Sequence, residues 1–171
     1  MQRRLEPELM NGDTQVQAYA AADFSSGDQA TIEAIQRLLS RTSPLPPDPL
    51  VVDLGCGPGN ITLRLAGLFP KARIIGIDGA ESMLAVARER AQQQQLEISF
   101  LCQTLQEVLR GALLGQADLI VSNSLLHHLH QPDLLWMVTR DLAAPGCRTL
   151  HRDLRRPVSD AEIQQLLLKH L

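Results

Sequence analysis

Residues 50–60, LVVDLGCGPGN, decide the fold. LVVDLG (50–55) is a short apolar, β-branched run and predicts a buried strand. Gly55, Gly57 and Gly59 follow within five positions. Glycines at this spacing let a chain leaving a strand turn sharply and press bare backbone against a ligand. Asp53 lies two residues before the first of them. NITLRLAGLF (60–69) then predicts a helix, with Asn60 as its cap and Ile61, Leu65 and Leu68 facing inward.

Outward from this unit, strand and helix patterns alternate. RIIGID (73–78), EISFLC (97–102), DLIVSN (118–123) and CRTLHRDL (147–154) predict four further strands, the last a poor buried strand because of Arg148, His151 and Arg152. Between them lie predicted helices over 81–95, 104–115 and 132–143, with Pro132 in the first turn of the last. The glutamines of 92–95 are a solvated helix end. Upstream, DQATIEAIQRLLSR (28–41) sets Ile32, Ile35, Leu38 and Leu39 on one helical face, with Asp28 or Ser26 as cap, and PLPPDP (44–49) stops it. Downstream, 159–171 predicts a closing helix with Ser159 and Glu162 spaced as a capping box. The alternation implies a doubly wound α/β sheet in one domain over 1–171, with an N-terminal helical segment (1–45), a core (50–154) and a closing helix (157–171). Ligands in such sheets bind beyond the carboxyl ends of the strands.

Composition removes several alternatives. The net charge of −3 offers no basic footprint for nucleic acid, and 3% aromatics offer no base-stacking platform. No apolar run approaches a membrane span of ~20 residues, and the N-terminus carries no secretory pattern. Cys56, Cys102 and Cys147 are scattered, which suggests reduced, buried thiols in a cytoplasmic protein.

The spacing G-x-G-x-G differs from the G-x-G-x-x-G of dinucleotide sites. Asp78, at the end of the second predicted strand, stands where an acid accepts both ribose hydroxyls. Asp53 would repel a pyrophosphate and attract a cation. A nucleoside with positive charge where a dinucleotide carries phosphates is S-adenosylmethionine, the expected cofactor, with S-adenosylhomocysteine as product.

VVDLGCGPGN, IIGIDGAESMLAVAR and ADLIVSNSLLHHLHQP together resemble the class I S-adenosylmethionine-dependent methyltransferases, over roughly residues 15–155. The resemblance implies a Rossmann-like, mostly parallel sheet. It implies that Asp53, Gly55 and Gly57 meet the methionine part, that Asp78 holds the ribose and that Met83 flanks the adenine. Gln103 stands where the family places an aspartate for the adenine amino group. Cys56, Asn60, Gly79, Thr104 and Asn123 lie at the same strand ends and complete the candidate set. The family sheet normally ends in an antiparallel hairpin; the resemblance leads to the expectation that it is missing here and that the fifth strand is an edge open to pairing. The apolar stripe Ile163, Leu166 and Leu167 is then expected on that sheet or on a second copy, as a homodimer or a weakly stable monomer.

SNSLLHHLH (122–130) lacks the Asn-Pro-Pro-aromatic pattern of methyltransferases acting on bases or glutamine, so a small-molecule acceptor fits better. His127 and His128 are candidate general bases, weighed against one packing on the pocket and the other being solvated. No metal site is expected of His127, His128 and His130, because adjacent histidines should point in different directions. The expected activity is methyl transfer to a small molecule. The alternatives are a cofactor-binding protein without catalysis, a component of a larger assembly and, more remotely, a nicotinamide oxidoreductase.

Overall fold

The computed structural model describes residues 21–155 continuously, together with Leu9, Gly12, Val16, Ala18, Tyr19, Ser159, Glu162 and Gln164. Five strands alternate with helices: α1 (Ser25–Leu39), β1 (Leu50–Leu54), α2 (Asn60–Leu68), β2 (Arg73–Asp78), α3 (Glu81–Gln93), β3 (Ile98–Cys102), α4 (Leu105–Val108), β4 (Ala117–Asn123), α5 (Asp133–Leu142) and β5 (Ala143–Arg152). All neighbours pair in parallel, in the order β3-β2-β1-β4-β5. The order reverses between β1 and β4, which is the crevice where such sheets take their ligands.

Strand alternation divides the core between the two faces of the sheet. Leu50, Val52, Leu54, Ile75, Ile77 and Ile120 pack with Leu105 and Val108 of α4 and with Leu135, Val138 and Leu142 of α5. Val51, Ile74, Leu119 and Val121 pack on the opposite face with Ile32 and Ile35 of α1 and with Ile61 and Leu65 of α2. All five residues of β1 are buried, as expected for the central strand of a sheet covered on both sides.

The helix starts differ from expectation. α1 begins at Ser25, before Asp28, and neither Asp28 nor Ser26 caps it: Phe24 is the N-cap and makes no side-chain cap bond. Asp28 is buried instead, with Arg64 at 3.9 Å. α2 is capped by Gly59, not Asn60, because the turn enters it at φ +85°. Asn60 accepts a hydrogen bond from Arg90 Nη1 at 2.8 Å. Thr104 begins α4 with a complete capping box to Glu107.

β5 starts at Ala143, earlier than expected, and reaches register with β4 through a shift between Ala117 and Leu119. Its polar residues are engaged, not merely solvated. Arg148 donates to the carbonyls of Ser43 and Gly146. His151 bonds Ser122 Oγ through Nδ1 at 2.8 Å and Thr139 Oγ1 through Nε2 at 3.1 Å. The cysteines also divide: Cys56 is buried, but Cys102, the last residue of β3, is exposed and Cys147 is intermediate. The expected closing helix lies outside the described residues, except that Ser159 Oγ accepts the Glu162 N–H at 3.3 Å, half of the expected box.

Candidate active site

A cavity of about 470 Å³ opens at the carboxyl ends of the strands. That volume suits a small-molecule ligand. Its floor is the turn between β1 and α2. Gly55, Gly57 and Gly59 all take left-handed φ values, +67°, +52° and +85°. Each glycine answers a different constraint. A Cβ on Gly55 would lie 2.6 Å from Leu125, and one on Gly59 would lie 3.2 Å from Ala87 of α3. A Cβ on Gly57 would meet nothing within 4 Å, because Gly57 faces the open cavity. The Gly55 and Cys56 N–H groups donate to Ile77 O at 2.8 and 3.0 Å, which ties the turn to β2. Arg90 ties its far side, donating to Pro58 O at 3.1 Å.

Asp53 has the strand parity that faces α2. There its Oδ2 accepts from Thr62 Oγ1 at 2.6 Å. The residue is 1% exposed, yet it lines the cavity. Burial pushes its carboxyl up to about 7, the Thr62 hydrogen bond opposes this and the charge of Asp78 adds to it. A carboxyl so placed favours a cation beside it. Asp78 ends β2, with Oδ2 accepting from Gly57 N at 2.9 Å and Oδ1 from Ala80 N at 2.8 Å. It caps no helix, since Ala80 is the N-cap of α3. Burial raises its carboxyl, against the pull of the Ala80 and Gly57 N–H groups.

All eleven residues named for the cofactor line this one cavity: Asp53, Gly55, Cys56, Gly57, Asn60, Asp78, Gly79, Met83, Gln103, Thr104 and Asn123. Met83 is both core and wall, being 3% exposed and packed with Val16 and Ala80. Gln103 is placed by its N–H, which donates to Asp78 O at 2.9 Å. His127 and His128 also line the cavity. Their rings do not diverge as expected; they lie against each other with centroids 4.1 Å apart. His127 Nδ1 contacts Asp153 Oδ1 at 2.7 Å, and Asp153 Oδ2 accepts the Leu126 N–H at 2.6 Å.

Sequence reasoning missed Thr62, Arg90, Thr31, Arg152 and Asp153. Thr62 could have been found, since it falls in the first turn after the glycine loop. The others left no local signal. Tyr19, Phe24, Gly27 and Asp28 bring the N-terminal segment over the cavity as a wall.

A parallel sheet with a glycine turn after β1 and acids near the ends of β1 and β2 is of Rossmann-like type. Residues 51–146, more than half of the chain, match the methyltransferase domain family. The chain belongs to that family. The trans-aconitate 2-methyltransferase of Variovorax paradoxus is 45% identical over 114 residues, covering 65% of this chain and 40% of that protein. The malonyl-(acyl-carrier protein) O-methyltransferase of Bacillus anthracis is 34% identical over 128 residues, covering 67% and 45%. The chain thus spans less than half the length of these relatives. Among solved structures, an S-adenosylmethionine-dependent methyltransferase of Aquifex aeolicus shares the fold with a TM-score of 0.67 at 18% identity, covering 94% of this chain and 88% of that one. Phosphoethanolamine N-methyltransferase 2 of Haemonchus contortus, solved with S-adenosyl-L-methionine, has a TM-score of 0.65 at 20% identity, covering 93% and 37%.

Proposed function

We propose that the protein binds S-adenosylmethionine in this cavity and transfers its methyl group to a small-molecule acceptor. The observation that carries the reading is Asp53, a carboxyl beside a glycine turn on the cavity wall, pushed up to about 7 by burial and, to a lesser degree, by the charge of Asp78. The group would supply a sulfonium-bound electrophilic methyl, whose transfer leaves a neutral thioether. The residues present fit it. Gly57 leaves room for the methionine part, and Asp53 balances its positive charge. Asp78 keeps acceptor capacity for ribose hydroxyls while its bond from the Gly57 N–H holds the turn in place. Met83, Gln103 and Thr104 form the wall for the adenine. Displacement at a sulfonium gains chiefly from proximity and alignment, which a fixed turn and a closed wall supply. Asp153 orients the His127 ring, so that a hydroxyl acceptor would find an imidazole held in one pose.

We further take residues 1–171 as one methyltransferase domain that pairs with a second copy through β5, whose outer edge bears no strand among the described residues. Light scattering over a concentration series tests the pairing, and a constant monomer mass refutes it.

Calorimetric titration with S-adenosylmethionine, S-adenosylhomocysteine and NAD tests the cofactor. The first two should bind and NAD should not; failure of S-adenosylhomocysteine to bind a folded protein refutes the reading. A methyl-transfer assay over a metabolite panel then separates an enzyme from a protein that binds the cofactor without turnover.

A further inference from the structure

The far end of the cavity, across β4 and β5, has a different charge from the end at β1 and β2. Arg152 is the sole lysine or arginine on the cavity wall among the described residues. It ends β5 and pairs in register with Asn123 of β4. Its Nη1 donates to Thr31 Oγ1 at 2.8 Å and to the Gly27 carbonyl, both on α1. Thr31 Oγ1 in turn lies 3.0 Å from Asn123 Oδ1. The guanidinium is thus fixed by one nitrogen, while no described residue takes a hydrogen bond from Nε or Nη2. Nor does Arg152 form an ion pair with a described residue. The nearest acids are otherwise disposed. Asp153 is bonded to His127 and to the Leu126 N–H, and Asp28 is buried with Arg64 at 3.9 Å, the charges of Arg64 and Arg152 both acting on its carboxyl.

Building on the cofactor reading above, we propose that Arg152 is the acceptor-recognition residue and that the acceptor carries a carboxylate. A guanidinium held at one corner presents its remaining N–H groups as a planar fork, which matches a carboxylate with two parallel hydrogen bonds. One cation matches one such charge. A phosphate dianion would add a second negative charge close to Asp28 and Asp153 and be repelled. Position separates this group from the ribose acid and the glycine turn, with Asn123 of the cofactor set between them. β5 lies two strands from β1 and three from β2, about 10 and 14 Å at the usual strand spacing. The ribose acid and the glycine turn belong to those distant strands, so Arg152 faces the other side of the switch point.

The test is calorimetry on the full chain saturated with S-adenosylhomocysteine, titrated with trans-aconitate, succinate and their neutral amides. At least one carboxylate should bind and its amide should not. Arg152→Gln should weaken the carboxylate tenfold or more and leave S-adenosylhomocysteine affinity within twofold. Arg152→Lys, which keeps the charge and loses the fork, should weaken it less. Thermal melts identify which variants fold, and either folded variant decides. Unchanged carboxylate affinity in a folded variant, equal binding of the amides, or no carboxylate binding to the wild type overturns the proposal. So does a parallel loss of S-adenosylhomocysteine affinity, which would assign Arg152 to the cofactor's own carboxylate. Failure of the wild type to bind S-adenosylhomocysteine at all refutes the cofactor reading instead.

Discussion

Replacing Asp53 with asparagine should make the ligand-free protein more stable at neutral pH while damaging its binding site. The side chain is 1% exposed, and burial pushes its carboxyl from 3.8 up to about 7. Between those values the folded chain holds a proton that the unfolded chain has released. Stability therefore falls as pH rises from about 4 to about 7, then levels off. The interval corresponds to ~4 kcal/mol. Asparagine is neutral throughout and retains an oxygen to accept from Thr62, so it lacks this loss. Thermal melts of both proteins from pH 4 to 8 should nearly coincide at the acid end. At pH 8 the variant should melt higher by on the order of 10 °C. Raised Asp78 and lowered His151 titrate in both proteins, so the difference between them reads Asp53 together with its coupling to Asp78. A bound cation should draw the carboxyl back down. Wild-type affinity for S-adenosylhomocysteine should then rise from pH 5 to 7, by up to about tenfold per unit. The variant should bind more weakly, with no such rise. A stability difference that does not change with pH would refute the argument, because it would mean that Asp53 is already ionised in the folded protein.

Thr62→Val removes the 2.6 Å bond that opposes the burial effect, so the pH at which wild-type stability levels off should move upward, read from the same melts. A midpoint that stays in place would show that the hydroxyl does not act on the carboxyl. Gly57→Val forces a β-branched residue to φ +52°, at a cost of roughly 1–3 kcal/mol, and projects it into open cavity. The variant should fold and fail to bind S-adenosylhomocysteine by calorimetry; normal binding would reduce the loop to a turn. Asp78→Asn cannot accept through both oxygens, so it should weaken S-adenosylhomocysteine by at least one charge-assisted bond, roughly 1.5–3 kcal/mol. Unchanged affinity in the folded variant would remove Asp78 from ribose recognition.

The fold was legible because its information is local. β2 runs over Arg73–Asp78 as the apolar run RIIGID predicts, and β1 ends at Leu54, one residue before the first glycine. Asp53, Asp78 and the three glycines were also legible, because strand ends and turns carry their chemistry at fixed short spacings. Caps were read less well. Asn60 and Asp28 have the side chains of N-caps, but a left-handed Gly59 and the path of the chain at Phe24 set where the helices begin. Cys102 was misjudged because burial of a small thiol depends on the element covering the strand end, which its neighbours in sequence do not specify.

The sequence by itself determined the alternation of elements, the turn at Gly55–Gly59 and the acids at the ends of β1 and β2. Hydrophobic period and backbone sterics act over a few residues, so they can be read along the chain. Tertiary structure alone decided the partners of the buried polar groups. Arg152 meets Thr31 across 121 residues, Thr31 meets Asn123 across 92, and Asp153 meets His127 across 26. A hydrogen bond needs its two atoms about 3 Å apart, and for residues so distant in sequence only the packing of α1 and β5 around the completed sheet brings them within that distance.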